Sequence, residues 1–337
     1  MQTDLVVGLQ HGDEGKGKIT HHLLKSGQYT HVTRSSGGPN AGHTIYHEGR
    51  KFITHHLPAG VFYEIPSVIG AGCVVNPQTL MEEIEEFEGE GFKVRDFLQI
   101  ANNVHVITPE HVDEDAKTDK IGSTKRGIMP VYRDKYARVG MRMQDFCEED
   151  NALATTLKPL LCDSAEVLYG DEHRILVEGA QGFSLCPDWG FYPFVTSSPP
   201  TTSYALHSLG VPPQTIGDVW GVAKMYDTYV GTKSFQPEGE IFNRLRELGG
   251  EYGATTGRPR QCNWLNLNHL ERAIKVNGVT HLVFNKCDIM EELGEFAMVD
   301  PDCSFDSLDS MKRRVLEHLN PLRTVQDIYW SGHKDRI

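Results

Sequence analysis

The stretch VVGLQHGDEGKGKI, residues 6–19, sets Gly12 and the Gly17-Lys18 pair at the G-x-x-x-x-G-K spacing of a phosphate-binding loop. Ile19 stands where such a loop carries the Ser or Thr that holds magnesium, and an acidic pair, Asp13-Glu14, lies inside the loop. An apolar run precedes the loop, and KITHHLLKSG, which reads as a helix, follows it. In that setting backbone N–H groups and a helix N-terminus supply a positive field for phosphate. Lys16 and Lys18 add charge, and Asp13 is the nearest substitute ligand for magnesium. A glycine-rich tight turn is the competing reading of this segment taken alone.

Other segments carry groups suited to the same chemistry. NKCD, residues 285–288, follows the apolar HLVF. The Asp of an N-K-x-D pattern accepts from guanine N1–H and the 2-amino group, which adenine does not offer. NAGHT, 40–44, sets an amide and an imidazole beside glycine, so that His43 can serve as an acid or an oxyanion partner. GATTGRPR, 253–260, joins two hydroxyls to Arg258 and Arg260, whose planar forks suit a carboxylate. The plain counterparts are a polar strand end, an ordinary loop histidine and a solvated basic loop.

The elements that must position these groups are legible as apolar runs. DLVVGLQ (4–10), YTHVTRS (29–35), SVIGAGCVV (67–75), RILVEGA (174–180), GDVWGVAKMY (217–226) and THLVFNK (280–286) predict buried strands. Helical spacing predicts helices over 77–91, with Leu80, Ile84 and Phe87 on one face, and over 267–278 and 307–319. The alternation predicts an α/β fold with a mostly parallel central sheet flanked by helices, and ligands beyond the carboxyl ends of its strands. One domain over 1–337 is expected, with long active-site loops at 35–44, 114–138, 228–238 and 251–263.

Composition narrows the class. With 337 residues, 39% apolar and 23% charged, the chain can bury a full core. A formal charge of -13 argues against a general nucleic-acid binder but leaves room for a local basic pocket. No run approaches the roughly 18 apolar residues of a membrane span. The N-terminus lacks the basic region of a signal peptide. The seven cysteines, without C-x-x-C spacing, read as reduced thiols, so a cytoplasmic enzyme is expected. His21-His22 and His55-His56 invite a metal reading, but adjacent side chains point to different faces and do not favour joint ligation.

Taken in order, these segments resemble the adenylosuccinate synthetase family. Its G-D-E-G-K-G-K stands here as Gly12 to Lys18, and its G-G-x-N-A-G-H-T as Gly37 to Thr44. Its remaining motifs appear as IGSTKRG (121–127), EGAQG (178–182), YPFVTS (192–197), GATTGR (253–258) and the guanine-reading Lys286 and Asp288. The resemblance implies a P-loop-NTPase-like adenylosuccinate synthetase fold and a ligase that joins L-aspartate to carbon 6 of IMP, driven by GTP hydrolysis through a 6-phosphoryl intermediate. It implies Asp13, His43, Lys16 and Gln181 as catalytic residues, and Mg2+ held by Asp13 and the Gly42 carbonyl. Asn40, Ser123, Thr124, Arg138, Gln181, Thr196 and Val230 would surround the purine monophosphate, with Arg138 contributed across a homodimer interface. Thr255, Thr256 and Arg258 would hold aspartate. Gly12, Glu14, Gly15, Lys16, Gly17, Arg260, Lys286, Asp288, Ser331 and Gly332 would contact the donor triphosphate.

The chain departs from the family's T-R-V-G-A-G-P-F-P-T-E pattern, reading TYVGTKSFQPEGE at 228–240, with Tyr229 where arginine is usual. Met129 replaces a glycine, and Ser123 a threonine. These changes surround the nucleotide pocket and keep a second acceptor in view. A viral branch, 2-aminoadenylosuccinate synthetase, acts on dGMP for 2-aminoadenine DNA; its donor here would be GTP, ATP or dATP, and its place a host cytoplasm. Retained Asp13 favours IMP, whereas Tyr229 pressing on the sugar would favour deoxyribose; a neutral change at a surface-facing position is the plain reading of Tyr229. A GTP-binding switch without ligase activity is the remaining alternative, and it leaves Asn40, His43, Gln181 and the GATTGR loop without a role.

Overall fold

The computed structural model describes residues 1–117, 122–253, 257–333 and 337. Each run expected as a strand enters one nine-stranded sheet, ordered Asp327–Trp330, His281–Asn285, Ile216–Lys224, Gln2–Gly8, Arg174–Glu178, His31–Arg34, Ser67–Ile69, Leu98–Ala101, Leu161–Cys162. Every pairing within it is parallel. A parallel sheet is covered on both faces, which is why these strands read as continuous apolar runs rather than alternating ones. Along the central strand, Leu5 and Val7 join the core on one face and Val6 the core on the other. The first face is closed by Leu267–Asn277 and Leu308–Leu319, the second by Lys16–Leu24 and Pro77–Gly89.

The predicted helices start where their sequences offer caps. The Asn76 side chain accepts from Thr79 N–H ahead of Pro77–Gly89, and Asn266 accepts from His269 N–H ahead of Leu267–Asn277. Ser307 and Ser310 close a reciprocal capping box on Leu308–Leu319. Each such cap contributes about 1 kcal/mol. No helix among the described residues is long and apolar enough to cross a membrane.

The structure corrects several spans. The 217–226 run leaves the main sheet at Met225, and Tyr226–Tyr229 enters a four-stranded sheet with Gln261–Asn266, Phe296–Asp300 and Cys303–Phe305. The 67–75 run breaks after Ile69, because Gly70 and Gly72 pass close to other backbone; a Cβ on Gly72 would lie 2.1 Å from the Ser35 carbonyl. Residues 114–138 are not one loop: Pro109–Lys117 and Ile128–Ala137 are helices. Asp115 ties them together, accepting from Ser123 Oγ at 2.8 Å and from Gly127 N–H at 2.9 Å. His43 and Thr44 already belong to a hairpin, His43–His47 with Arg50–Thr54, and the end of the 251–263 segment is strand.

Candidate active site

Strand ends bring the chemistry together. Gly8, Glu178, Lys224 and Asn285 terminate four adjacent strands of the parallel sheet, and the segments that follow line a cleft of about 430 Å³. The cleft is lined by Gly12, Asp13, Gly15, Lys16, Gly17, Asn40, Gly42, His43, Ser123, Thr124, Gln181, Thr196, Val230, Arg258, Arg260 and Lys286 among the expected site residues. Thr255 and Thr256 lie outside the described residues.

The phosphate loop turns through three left-handed residues, Gly12 (φ 88), Asp13 (φ 58) and Gly15 (φ 94), before the helix Lys16–Leu24 begins. Glu14, expected as a donor contact, turns its side chain beneath the loop, where it is buried. Its carboxylate accepts from Gln10 N–H at 3.1 Å, Gly12 N–H at 2.9 Å and Lys16 Nζ at 2.7 Å. Gly8 and Gly182 make room for it, since a Cβ on either would stand 2.5 or 2.3 Å from a Glu14 oxygen. Asn285, the first residue of NKCD, donates to the Glu14 carbonyl at 2.6 Å, so this motif also braces the phosphate loop.

Asp13, partly exposed, points its Oδ2 at Arg260 Nη2, 2.9 Å away. Arg260 is held from behind by Glu251, which accepts from Tyr226 OH at 2.6 Å and from the buried Lys224 Nζ at 3.3 Å. Burial alone would raise the Glu251 carboxyl, but Lys224, Arg260 and Lys286 outweigh it and bring it down to about 2. A buried carboxylate thus fixes the arginine that meets Asp13.

His43 Nδ1 is hydrogen-bonded to the buried Glu178, whose other oxygen accepts from Ala59 N–H at 2.9 Å. Burial would raise the Glu178 carboxyl; the charges of His43 and Arg34 and the two hydrogen bonds overcome this and hold it below the usual carboxylate range. Burial and Arg34 in turn push His43 down. An ionised Glu178 fixes the proton on Nδ1 and leaves Nε2 for a ligand. Gln181, in left-handed conformation (φ 53), has a buried Nε2 with no protein partner beside the cleft. An unmet buried donor costs about 1–3 kcal/mol, so a ligand acceptor suits this place.

Several expected contacts do not line the cleft. Asp288, Ser331 and Gly332 gather at the start of the helix Cys287–Leu293, next to Lys286: Cys287 N–H donates to the Ser331 carbonyl at 3.1 Å, and Lys18 Nζ to Ser331 Oγ at 2.8 Å. Arg138 is exposed at the end of Ile128–Ala137, away from the cleft of its own chain. Tyr229 is not surface-facing: it is 4% exposed and packs on His11 and Phe235. Glu178, Glu251 and Lys224 were not read as site residues from the sequence. Glu178 and Lys224 share one signal, a charged residue at the end of an apolar strand, whereas Glu251 follows the helix Glu240–Gly249.

The parallel sheet, with a glycine-rich loop and a cleft beyond its carboxyl edge, defines an α/β protein with a strand-end site. A model of the adenylosuccinate synthetase family matches residues 5–168 and 148–300, and the chain belongs to that family. It is therefore a carbon–nitrogen bond-forming ligase of purine biosynthesis. It is 40% identical to the adenylosuccinate synthetase of Halothermothrix orenii over 88% of this chain and 79% of that one. The fully ligated adenylosuccinate synthetase of Plasmodium falciparum superposes with TM-score 0.79 at 31% identity, over 88% of this chain and 80% of that one. The succinoaminodeoxyadenylate synthetase of cyanophage S-2L, bound to dGMP and dATP as an energy donor, shares the fold with TM-score 0.77 at 22% identity, over 99% and 93% of the two chains.

Proposed function

We propose that the chain joins L-aspartate to carbon 6 of IMP, driven by GTP, giving adenylosuccinate. The observation that carries this reading is the shared cleft of Asp13, on the phosphate loop, and His43, held by Glu178. A purine carbonyl oxygen is a poor leaving group, and these residues answer that difficulty. Asp13 accepts the N1 proton, and the resulting 6-oxyanion, facing His43, takes the γ-phosphoryl group. Glu178 provides the counter-charge for an imidazolium. Lys16 and the N-terminal amides of Lys16–Leu24 stabilise phosphate charge. Arg258, with the Thr255-Thr256 segment, holds aspartate by its carboxylates, and its amine then displaces phosphate from carbon 6.

A magnesium ion suits the residues present. The Asp13 carboxylate and the Gly42 carbonyl are hard oxygen donors lining one cleft, the few protein ligands that a phosphate-bound Mg2+ takes. The ion would neutralise charge on the transferring group. Lys286, Asp288, Ser331 and Gly332 form the donor-base end of the site, and Gly12, Gly15, Gly17 and Arg260 its phosphate end. The exposed Arg138 supports a homodimer in which it reaches the neighbouring subunit's nucleotide. A cytoplasmic location, the host's for a viral chain, belongs to the same reading.

A second acceptor, dGMP with GTP, ATP or dATP as donor, is favoured by one observation. Tyr229 is buried against Gly231, beside the wall where the sugar would lie; a Cβ on Gly231 would be 2.0 Å from the Tyr229 hydroxyl. A phosphate-release assay crossing IMP, GMP and dGMP with GTP, ATP and dATP, each with aspartate, decides between them. Release with IMP and GTP that needs aspartate is expected. Turnover confined to dGMP would replace the first acceptor with the second, and release from triphosphate alone would sink both.

A further inference from the structure

The loop after Tyr229 carries an ammonium group that the reaction above does not use. Lys233 Nζ lies 4.2 Å from the ring centre of Phe191, 4.9 Å from that of Tyr229 and 5.3 Å from that of Phe235. His11 Nε2 lies 3.2 Å from the same ammonium group. His11 Nδ1 is 2.8 Å from Asp227, which is buried, and the imidazole stacks on Phe191 at 5.4 Å. An ammonium group only donates, so His11 accepts on Nε2 and carries its proton on Nδ1. The chain therefore runs from Lys233 through His11, at the phosphate loop, to Asp227 on the strand Tyr226–Tyr229.

Gln261 pins the same loop from below. Its Nε2 donates to the carbonyls of Gly231 (3.0 Å) and Lys233 (2.8 Å), and its Oε1 accepts from the N–H of Phe235 (2.9 Å). Above, Tyr229 packs so closely on Gly231 that no side chain fits there. His11, Tyr229 and Val230 face the cleft; Lys233 stands behind them. Nothing in the family resemblance accounts for a cation at 233.

We infer that Lys233 is a positioning residue for acceptor binding: packed against three rings and bonded to His11, it fixes the wall that the acceptor's sugar meets. This rests on the reading that Val230 and Gly231 flank that sugar. A half-buried cation against aromatic faces holds them more firmly than apolar packing alone. Because Lys233 touches no reacting atom, its loss weakens acceptor binding and leaves the chemical step in place.

The test compares wild type with Lys233→Met, which keeps the apolar stem, and Lys233→Arg, which keeps a cation able to stack and donate. Calorimetry with IMP and dGMP is paired with steady-state kinetics for all three substrates and with Tm. For Lys233→Met the acceptor Kd and KM should rise about tenfold, with kcat within about threefold and donor and aspartate KM unchanged. Lys233→Arg should recover most of the loss. Should Lys233→Met fail to fold, Asp227→Asn, which weakens the hold on His11, should show the same split. Unchanged acceptor binding, or equal losses for all three substrates, overturns the inference alone. Wild-type protein that binds neither monophosphate overturns the site reading beneath it.

Discussion

Asp13 Oδ2 and Arg260 Nη2 lie 2.9 Å apart, and the same guanidinium is anchored to the buried Glu251. The proposed base is thus paired with a cation that the proposed function also assigns to the donor phosphates. On the proposed function, donor phosphates that draw on Arg260 would release Asp13 toward the purine.

Asp13→Ala should nearly abolish turnover, by about 10²–10⁴-fold in kcat, the usual range for a removed proton acceptor. Asp13 is partly exposed, so Tm should change little. Aspartate-dependent phosphate release and a thermal melt measure the two; substantial retained activity removes Asp13 from the base role.

Glu178→Gln keeps the shape of the side chain but takes away the charge that fixes the His43 tautomer. A loss of about 10–100-fold in kcat is expected with acceptor KM little changed. An unaltered kcat would show that His43 needs no oriented partner.

Stability should fall on acidification in two stages. Burial brings His56 from 6.5 to about 3, and His31, His105 and His269 each to about 4. Unfolded histidines bind protons below 6.5 while these folded ones do not, so the unfolded state gains protons and stability drops as pH falls from 6.5 toward 4. Glu251, ordinarily 4.5 and here about 2, adds a further loss as pH falls below 4.5. Melting temperatures from pH 7 to 4 should show this decline, and His56→Gln should make its upper part shallower. An identical profile for that variant would remove His56 as a contributor.

Asp288→Asn tests donor selection. A carboxylate that accepts from guanine becomes an amide that cannot take both donors, so KM for GTP should rise about 10–100-fold while any turnover with ATP stays level. Equal effects on both donors would place the base elsewhere.

Much of this arrangement was legible beforehand because parallel strands buried on both faces must be apolar throughout, and Leu5, Val177 and Val222 announce themselves that way. The phosphate loop was legible because glycine spacing is a backbone requirement. The direction of the Glu14 side chain was not legible, because it is set by the space left at Gly8 and Gly182, far apart in the chain. Glu178 was hidden by its place at a strand end, where polar residues are ordinary. Residues 114–138 concealed two helices because their charges outnumber the few apolar contacts, and Asp115 supplies the tie instead. His11, Asp227 and Lys233 belong to one cluster that only the fold assembles.

The hydrogen bond from Asn285 to the Glu14 carbonyl spans 271 residues. The central strand Gln2–Gly8 likewise pairs with Arg174–Glu178 and Ile216–Lys224, made long after it on the ribosome. The phosphate loop therefore emerges before the elements that complete it. Until those distal strands close around Gln2–Gly8, the nascent chain has no completed loop of this kind.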